Sequence, residues 1–366
     1  MKRTLSLILA FVLVTTMLCA CGTGSTPTNS ATNTSTASDT GTATGNSDKT
    51  TPTYTWRLGT QDADGIPLTD SAYRFAKDLE EATNGDIQIT VYPSSQLGDY
   101  EQMFEEVTMG TLDMAWISGP ASFDQMMDIQ GIPYLVENWD QARELWGNRD
   151  GYIYSKFNDI MQNLGATLLG VTPGGFLGIG AQNLGNLDTI FDPTVKQGVL
   201  IRHPSMDVAR MIVDSLGYNC VTIAYSDLYT ALQTGVADGW YGGGAALNYT
   251  SFRDVIKYYA DYRYLFEVFT MLMNQDLFES LPEEYQTLIM DLAVKEQTAA
   301  FDDFQAFEAE GYSQLDDYGI QVLYPTDEQM TYMAQYVRDT VYPQLNDLFG
   351  EDTMTAISDQ VAGLAK

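Results

Sequence analysis

The sequence predicts an α/β protein of two lobes, each a β-sheet flanked by helices, with one long helix running along both. Three observations carry that prediction. Strand and helix periodicities alternate from about Tyr54, the same rhythm returns near Val199, and Pro282 to Tyr318 reads as helix with no internal Pro and no Gly before Gly311.

In the first alternating region, Thr55 to Gly59 reads as a strand. Ala72, Phe75, Ala76, Leu79 and Ala82 follow at helical spacing, and Asn84-Gly85 ends that helix. Ile87, Ile89 and Val91 alternate strictly, a helix from Tyr100 to Met109 closes at Gly110, and Leu112 to Ile117 is a buried strand. This βαβαβ order implies parallel strands with right-handed crossovers. In the second region, Val199 to Arg202, Val221 to Tyr225 and Val236 to Gly239 are the expected strands. Met206 to Leu216 and Asp227 to Thr234 are the expected helices, ended by Gly217 and Gly235, with Ser226 placed to cap the second. The third feature, the helix from Pro282 to Tyr318, would be on the order of 40 Å or longer. A break into two helices near Gly311 is the alternative.

Ahead of this body the chain has a different character. Lys2 and Arg3 precede an apolar run of 14 residues, Leu5 to Leu18, where a membrane-spanning helix needs about 20. Residues 1–20 therefore read as a secretory signal peptide. Leu18-Cys19-Ala20-Cys21 resembles a bacterial lipobox, which makes Cys21 the expected lipidation site, with a lipid anchor in the membrane. Residues 21–53 are rich in Thr, Ser, Gly, Asn and Ala, a composition too polar to bury a core, and are expected to form a disordered tether.

Composition narrows the function. The formal net charge is −31, more negative still once Lys2 and Arg3 are removed, and such a surface disfavours nucleic acid and anionic lipid. An anionic solute would need a local arginine. Cys19 leaves with the signal and Cys21 is the lipid site, so Cys220 has no partner for a disulfide within the mature chain. The single histidine, His203, lies 17 residues from Cys220 with no third orienting group, and Asp62 and Asp64 lack calcium-loop spacing. No catalytic function, metal or cofactor is expected.

Residues 196–240 carry an ordered set of short motifs. Gly198 precedes Ile201-Arg202-His203-Pro204, and Gly217 ends a helix. Tyr225-Ser226-Asp227-Leu228-Tyr229, Ala231-Leu232-Gln233-Thr234-Gly235 and Asp238-Gly239 then follow in turn. This run resembles the central signature of the solute-binding proteins of TRAP transporters, the DctP family. Residues 84–118, 131–145 and 277–289 are similar to further family segments, so the likeness spans roughly Tyr54 to Leu345.

The resemblance implies a periplasmic-binding-protein-like fold closing over a small organic anion, a carboxylate by expectation. It also implies small and large integral membrane subunits driven by an ion gradient, and an extracytoplasmic, lipid-anchored location. Lobe I would comprise residues 54–173 plus about 268–307, and lobe II residues 174–267 plus about 308–366. A lipoprotein feeding a membrane sensor or an ABC-type importer is the alternative. Carried over by motif, Arg202 is the carboxylate anchor, Tyr225 packs on the solute, and Ser205 is a polar contact or a helix cap. Gln61, Tyr100 and Ser118 are contacts from the first lobe, while Trp116 reads as core.

Two departures bear on the solute. Family members place a second arginine before the signature, where this chain has Gly174-Gly175-Phe176-Leu177-Gly178. The usual asparagine after Asp-Gly is replaced by Gly242, with Trp240 and Tyr241 beside it. A monocarboxylate with an apolar or aromatic portion is therefore expected, with Trp240 and Tyr241 lining its site.

Overall fold

Strand and helix alternate through the chain much as their periodicities require. The computed structural model describes residues 51–364; the signal peptide, Cys21 and nearly all of the tether lie outside the described residues. Thr53, the last residue assigned to the tether, already donates its backbone N–H to Asp86 O at 2.9 Å, so the folded body begins there.

The elements in order are β1 (Tyr54–Thr60), α1 (Pro67–Ala82), β2 (Ile87–Tyr92), α2 (Tyr100–Thr108), β3 (Met114–Ile117), a 3-10 stretch (Gln125–Gly131), α3 (Trp139–Gly147), α4 (Tyr152–Asn163) and β4 (Ala166–Phe176). Next come β5 (Ile179–Ala181), β6 (Leu200–His203), α5 (Asp207–Ser215), β7 (Asn219–Thr222), a 3-10 turn (Tyr225–Asp227), α6 (Leu228–Thr234), β8 (Gly239–Tyr241) and the short α7 (Ala245–Leu247). The chain closes with β9 (Tyr258–Ala260), β10 (Phe266–Asn274), α8 (Gln275–Ser280), α9 (Glu283–Tyr318), β11 (Gln321–Leu323), α10 (Asp327–Phe349) and α11 (Glu351–Ala362).

Two sheets organise the body. The first has the order β2-β1-β3-β10-β4 and the second β11-β9-β5-β8-β6-β7. The expected parallel pairing holds for β2-β1-β3 and for β8-β6-β7. Beside them run antiparallel strands that the periodicity did not reveal: β4 and β10 pair along almost their whole lengths, and β5 joins β8 to β9. Because β4 and β10 are buried on both faces, they read as continuous apolar runs without a period of two. These two strands are the crossings between the sheets. β4 extends to Phe176 and the segment continues directly into β5.

The long helix is a single one of 36 residues, about 54 Å, and it does not break at Gly311. That glycine is a point of close approach: a Cβ there would run into the backbone of Ala245 and Ala246. α9 packs on α1 and β4 in the first lobe and on α7 and β11 in the second, while α10 and α11 reach back to α5 and α4.

Three boundaries differ from expectation in ways that matter for the site. The second strand of the later region is Asn219–Thr222, not Val221 to Tyr225, so Tyr225 stands in a turn beyond the strand end. Gly235 adopts φ +73° and ends α6 as anticipated, but Val236 and Ala237 fold back onto Ala231 O, which delays β8 to Gly239. Ser226 does not cap α6; its backbone N–H instead donates to Asp99 Oδ2 at 3.1 Å.

Candidate functional site

Strand ends of both sheets converge on one cavity, a common setting for a small-molecule site. Gln61 and Ser118 follow β1 and β3, Tyr100 opens α2, and Glu267, Val268 and Phe269 come from β10 on the first side. Arg202 on β6, Tyr225, and Trp240 and Tyr241 on β8 come from the second.

Arg202 is only 3% exposed. Its Nε donates to Ile223 O at 2.8 Å, which fixes the guanidinium across the end of β7. Its two terminal nitrogens have no hydrogen-bond or ion-pair partner among the described residues. Burial pulls its pKa below the ordinary arginine value, opposed by the nearby Tyr100, Tyr225, Asp99 and Glu267. A guanidinium still remains charged in a protein. A buried, half-satisfied guanidinium is costly unless an anion meets it.

The other polar groups are held in place around it. Gln61 Oε1 accepts the Ser118 N–H at 2.8 Å, tying the ends of β1 and β3 together. Tyr100 follows Asp99, whose side chain caps α2 by accepting the Glu101 N–H. Tyr225 donates its hydroxyl to Asp62 Oδ1 at 3.5 Å. Trp240 Nε1 donates to Asn248 Oδ1 at 2.9 Å, and its ring lies 4.6 Å from that of Phe252. Tyr241 stacks on Tyr264 at 4.7 Å, with its buried hydroxyl unpaired.

Trp240 explains the missing asparagine. Gly242 and Gly243 adopt φ +139° and +70°, and a Cβ at either would lie 2.6–2.7 Å from the Trp240 ring. The bulk gained at Trp240 thus occupies the space a side chain at Gly242 would need.

Ser205 stands apart from the other anticipated residues. It lines a separate pocket with His203, Asp128 and Asp207. It does not cap α5 either, whose N-cap is Met206. The turn at Pro204 sends Pro204 and Met206 into the cavity and Ser205 away from it. Trp116 is fully buried against Phe75 in the core, as its sequence context indicated. His203 and Cys220 do not pair: His203 Nδ1 contacts Pro204 O at 2.6 Å, and the Cys220 thiol donates to Asp214 Oδ1 at 3.5 Å.

Sequence reasoning missed Glu267. It lines the cavity beside Arg202, and burial, with the Asp62 charge adding to it, pushes its pKa from an ordinary 4.5 up to about 8. Asp62, buried against Tyr225, is pushed up to about 7. The available signal was a lone acid inside the apolar run from Tyr264 to Met273.

Comparison with known proteins decides the lineage. The family described as "Bacterial extracellular solute-binding protein, family 7", or DctP, matches residues 58–345. The chain belongs to this family. It is a solute-binding protein, not an enzyme. Among its relatives are a solute-binding protein of Chromohalobacter salexigens, 26% identical over 69% of this chain and 75% of the relative, and the sialic acid-binding periplasmic protein SiaP of Vibrio cholerae, 25% identical over 74% and 83%. The two-lobed fold is shared with a TRAP periplasmic solute-binding protein of Desulfovibrio salexigens bound to orotic acid. That structure gives a TM-score of 0.77 at 23% identity and covers 85% of this chain and 100% of the other. A Haemophilus influenzae protein bound to L-gulonate gives 0.74 at 21% identity, covering 84% and 99%.

Proposed function

We propose that this chain is the solute receptor of a TRAP-type transporter, capturing a small organic acid outside the cytoplasm and presenting it to small and large integral membrane subunits. The observation that carries the reading is Arg202: a buried guanidinium with both terminal nitrogens unpartnered among the described residues, at the wall of a cavity to which both sheets contribute site residues. Its planar fork suits a carboxylate held through two parallel hydrogen bonds. Relatives named for sialic acid and C4-dicarboxylates, and neighbours bound to orotic acid and sugar acids, support the same class of solute.

In this reading Gln61, Tyr100, Ser118, Tyr225, Trp240 and Tyr241 complete the site. The apolar lining of Leu177, Leu247, Leu265 and Phe269 favours a monocarboxylate with an apolar or aromatic portion. The lobes would divide at residues 173–174 and 267–268 and again near 307–308 in α9, with closure over the solute by a hinge at the crossing strands.

A thermal-shift screen tests this. The panel contains aromatic and aliphatic monocarboxylates, orotate, gulonate, galactonate and C4-dicarboxylates, with neutral sugars and amides as controls. A solute at 100 times its Kd stabilises by about 2.7 kcal/mol, so at least one carboxylate should raise Tm by several degrees. Stabilisation by neutral solutes alone would contradict the reading.

A further inference from the structure

The cavity holds a second ionisable side chain whose functional group has no partner among the described residues, an acid facing the same space as Arg202. The Glu267 carboxyl makes no hydrogen bond or ion pair among the described residues. It lies near enough to Arg202 for the guanidinium charge to act on it, yet the two do not form an ion pair. Its side chain is seated by design of the backbone: a Cβ at Gly174 would stand 2.9 Å from Glu267 Cγ and Oε2. Any other residue at position 174 would displace the carboxyl group.

Asp62 adds a second acid next door. It lines the adjoining pocket, which shares Leu247 and Phe269 with the main cavity. Arg202 is the sole basic residue of the main lining. A simple carboxylate would satisfy the guanidinium but bring no counter-charge to the half-buried Glu267 carboxyl in the same cavity. A solute that also brings a cationic nitrogen would satisfy both groups. The rings of Tyr225, Trp240, Tyr241 and Phe269 around the same space suit a cation as well as an apolar body.

We propose that the solute is zwitterionic, with its carboxylate on Arg202 and a protonated nitrogen on Glu267. This deepens the organic-acid reading and rests on it. Glu267 is then the specificity-determining residue that separates amino-bearing acids from their plain carboxylate analogues.

Matched triads test it by titration calorimetry: phenylalanine, phenylpropanoate and phenylethylamine; tryptophan, indolepropanoate and tryptamine; proline, cyclopentanecarboxylate and pyrrolidine. In the wild type, at least one amino acid should bind about tenfold or more tightly than both its analogues, as a charge-assisted contact to each group requires. Glu267→Gln keeps the shape and should abolish the preference over the plain carboxylate, with folding checked by thermal denaturation without solute. The proposal is overturned if plain carboxylates bind as well as the amino acids, if no amino acid binds at millimolar concentration, or if Glu267→Gln leaves the preference intact. If carboxylates bind equally in both forms and still need Arg202, only the nitrogen site fails. Amines binding without a carboxylate, indifferent to Arg202→Ala, would defeat the organic-acid reading as well.

Discussion

The carboxylate of Asp99 accepts a hydrogen bond from each side of the cleft, from Glu101 N–H at 3.3 Å in α2 and from Ser226 N–H at 3.1 Å, 127 residues further on. The helix cap of one lobe is thereby a latch on the other. Further contacts also cross: Tyr225 to Asp62, Gln125 to Asp207, and the Asp128 carboxylate accepting the N–H groups of Asp207 at 3.1 Å and Val208 at 3.4 Å.

Asp99→Ala should remove both functions, costing about 1 kcal/mol for the cap and biasing the lobes toward opening. Small-angle scattering with increasing amounts of a stabilising carboxylate should show the wild type contracting first, and Asp99→Ala only at several-fold higher solute. Identical midpoints would remove the latch from the account.

The Trp240 ring and the two glycines beside it should be energetically coupled. Gly242→Ala forces a Cβ into the ring at 2.6 Å and into a positive φ, and should destabilise by about 1–3 kcal/mol. Trp240→Ala in the same chain should recover part of that loss. Urea denaturation of the double-mutant cycle measures the coupling, and strict additivity would show that the ring does not set the glycines.

Acid should stabilise the solute-free protein. Burial raises Glu267 and Glu308 to about 8, and Asp62 and Asp128 to about 7. Each keeps a proton in the folded state that the unfolded chain releases near pH 4 to 4.5, so its contribution is complete below that range and is lost as pH rises through about 7 to 8. Tm should fall between about pH 5 and 8, and Glu267→Gln should shallow the slope. A Tm that rises over this window would reverse the sign of the argument.

Much of this was open to sequence reasoning where local chemistry decides structure. The parallel strands, the glycine stops at Gly217 and Gly235 and the continuous α9 follow from periodicity and turn chemistry, while the family resemblance pointed to Arg202, Tyr225, Gln61, Tyr100 and Ser118, which line one cavity. Where tertiary packing decides, the reading failed. β4 and β10 carry no alternation because both faces are buried, so the strand bearing Glu267 went unseen. Ser205 and Ser226 have the chemistry of caps, yet the Pro204 turn and the Asp99 latch redirect them.

Cys21 belongs to the proposal, since its surroundings lie outside the described residues. If it carries the lipid, Cys21→Ser should move the protein from the membrane fraction to the medium on cell fractionation. Undiminished membrane retention would point to another attachment.

The most direct test of the central claim is titration calorimetry of wild type, Arg202→Ala and Arg202→Lys against the carboxylate giving the largest thermal shift, with folding verified by circular dichroism. Loss of a charge-assisted pair costs about 1.5–3 kcal/mol, so Arg202→Ala should bind at least about tenfold more weakly. Arg202→Lys should also lose affinity, because an ammonium cannot reproduce the fork. If Arg202→Ala binds within about threefold of wild type, a difference near 0.65 kcal/mol, Arg202 is not the anchor and the carboxylate account of this cavity is wrong.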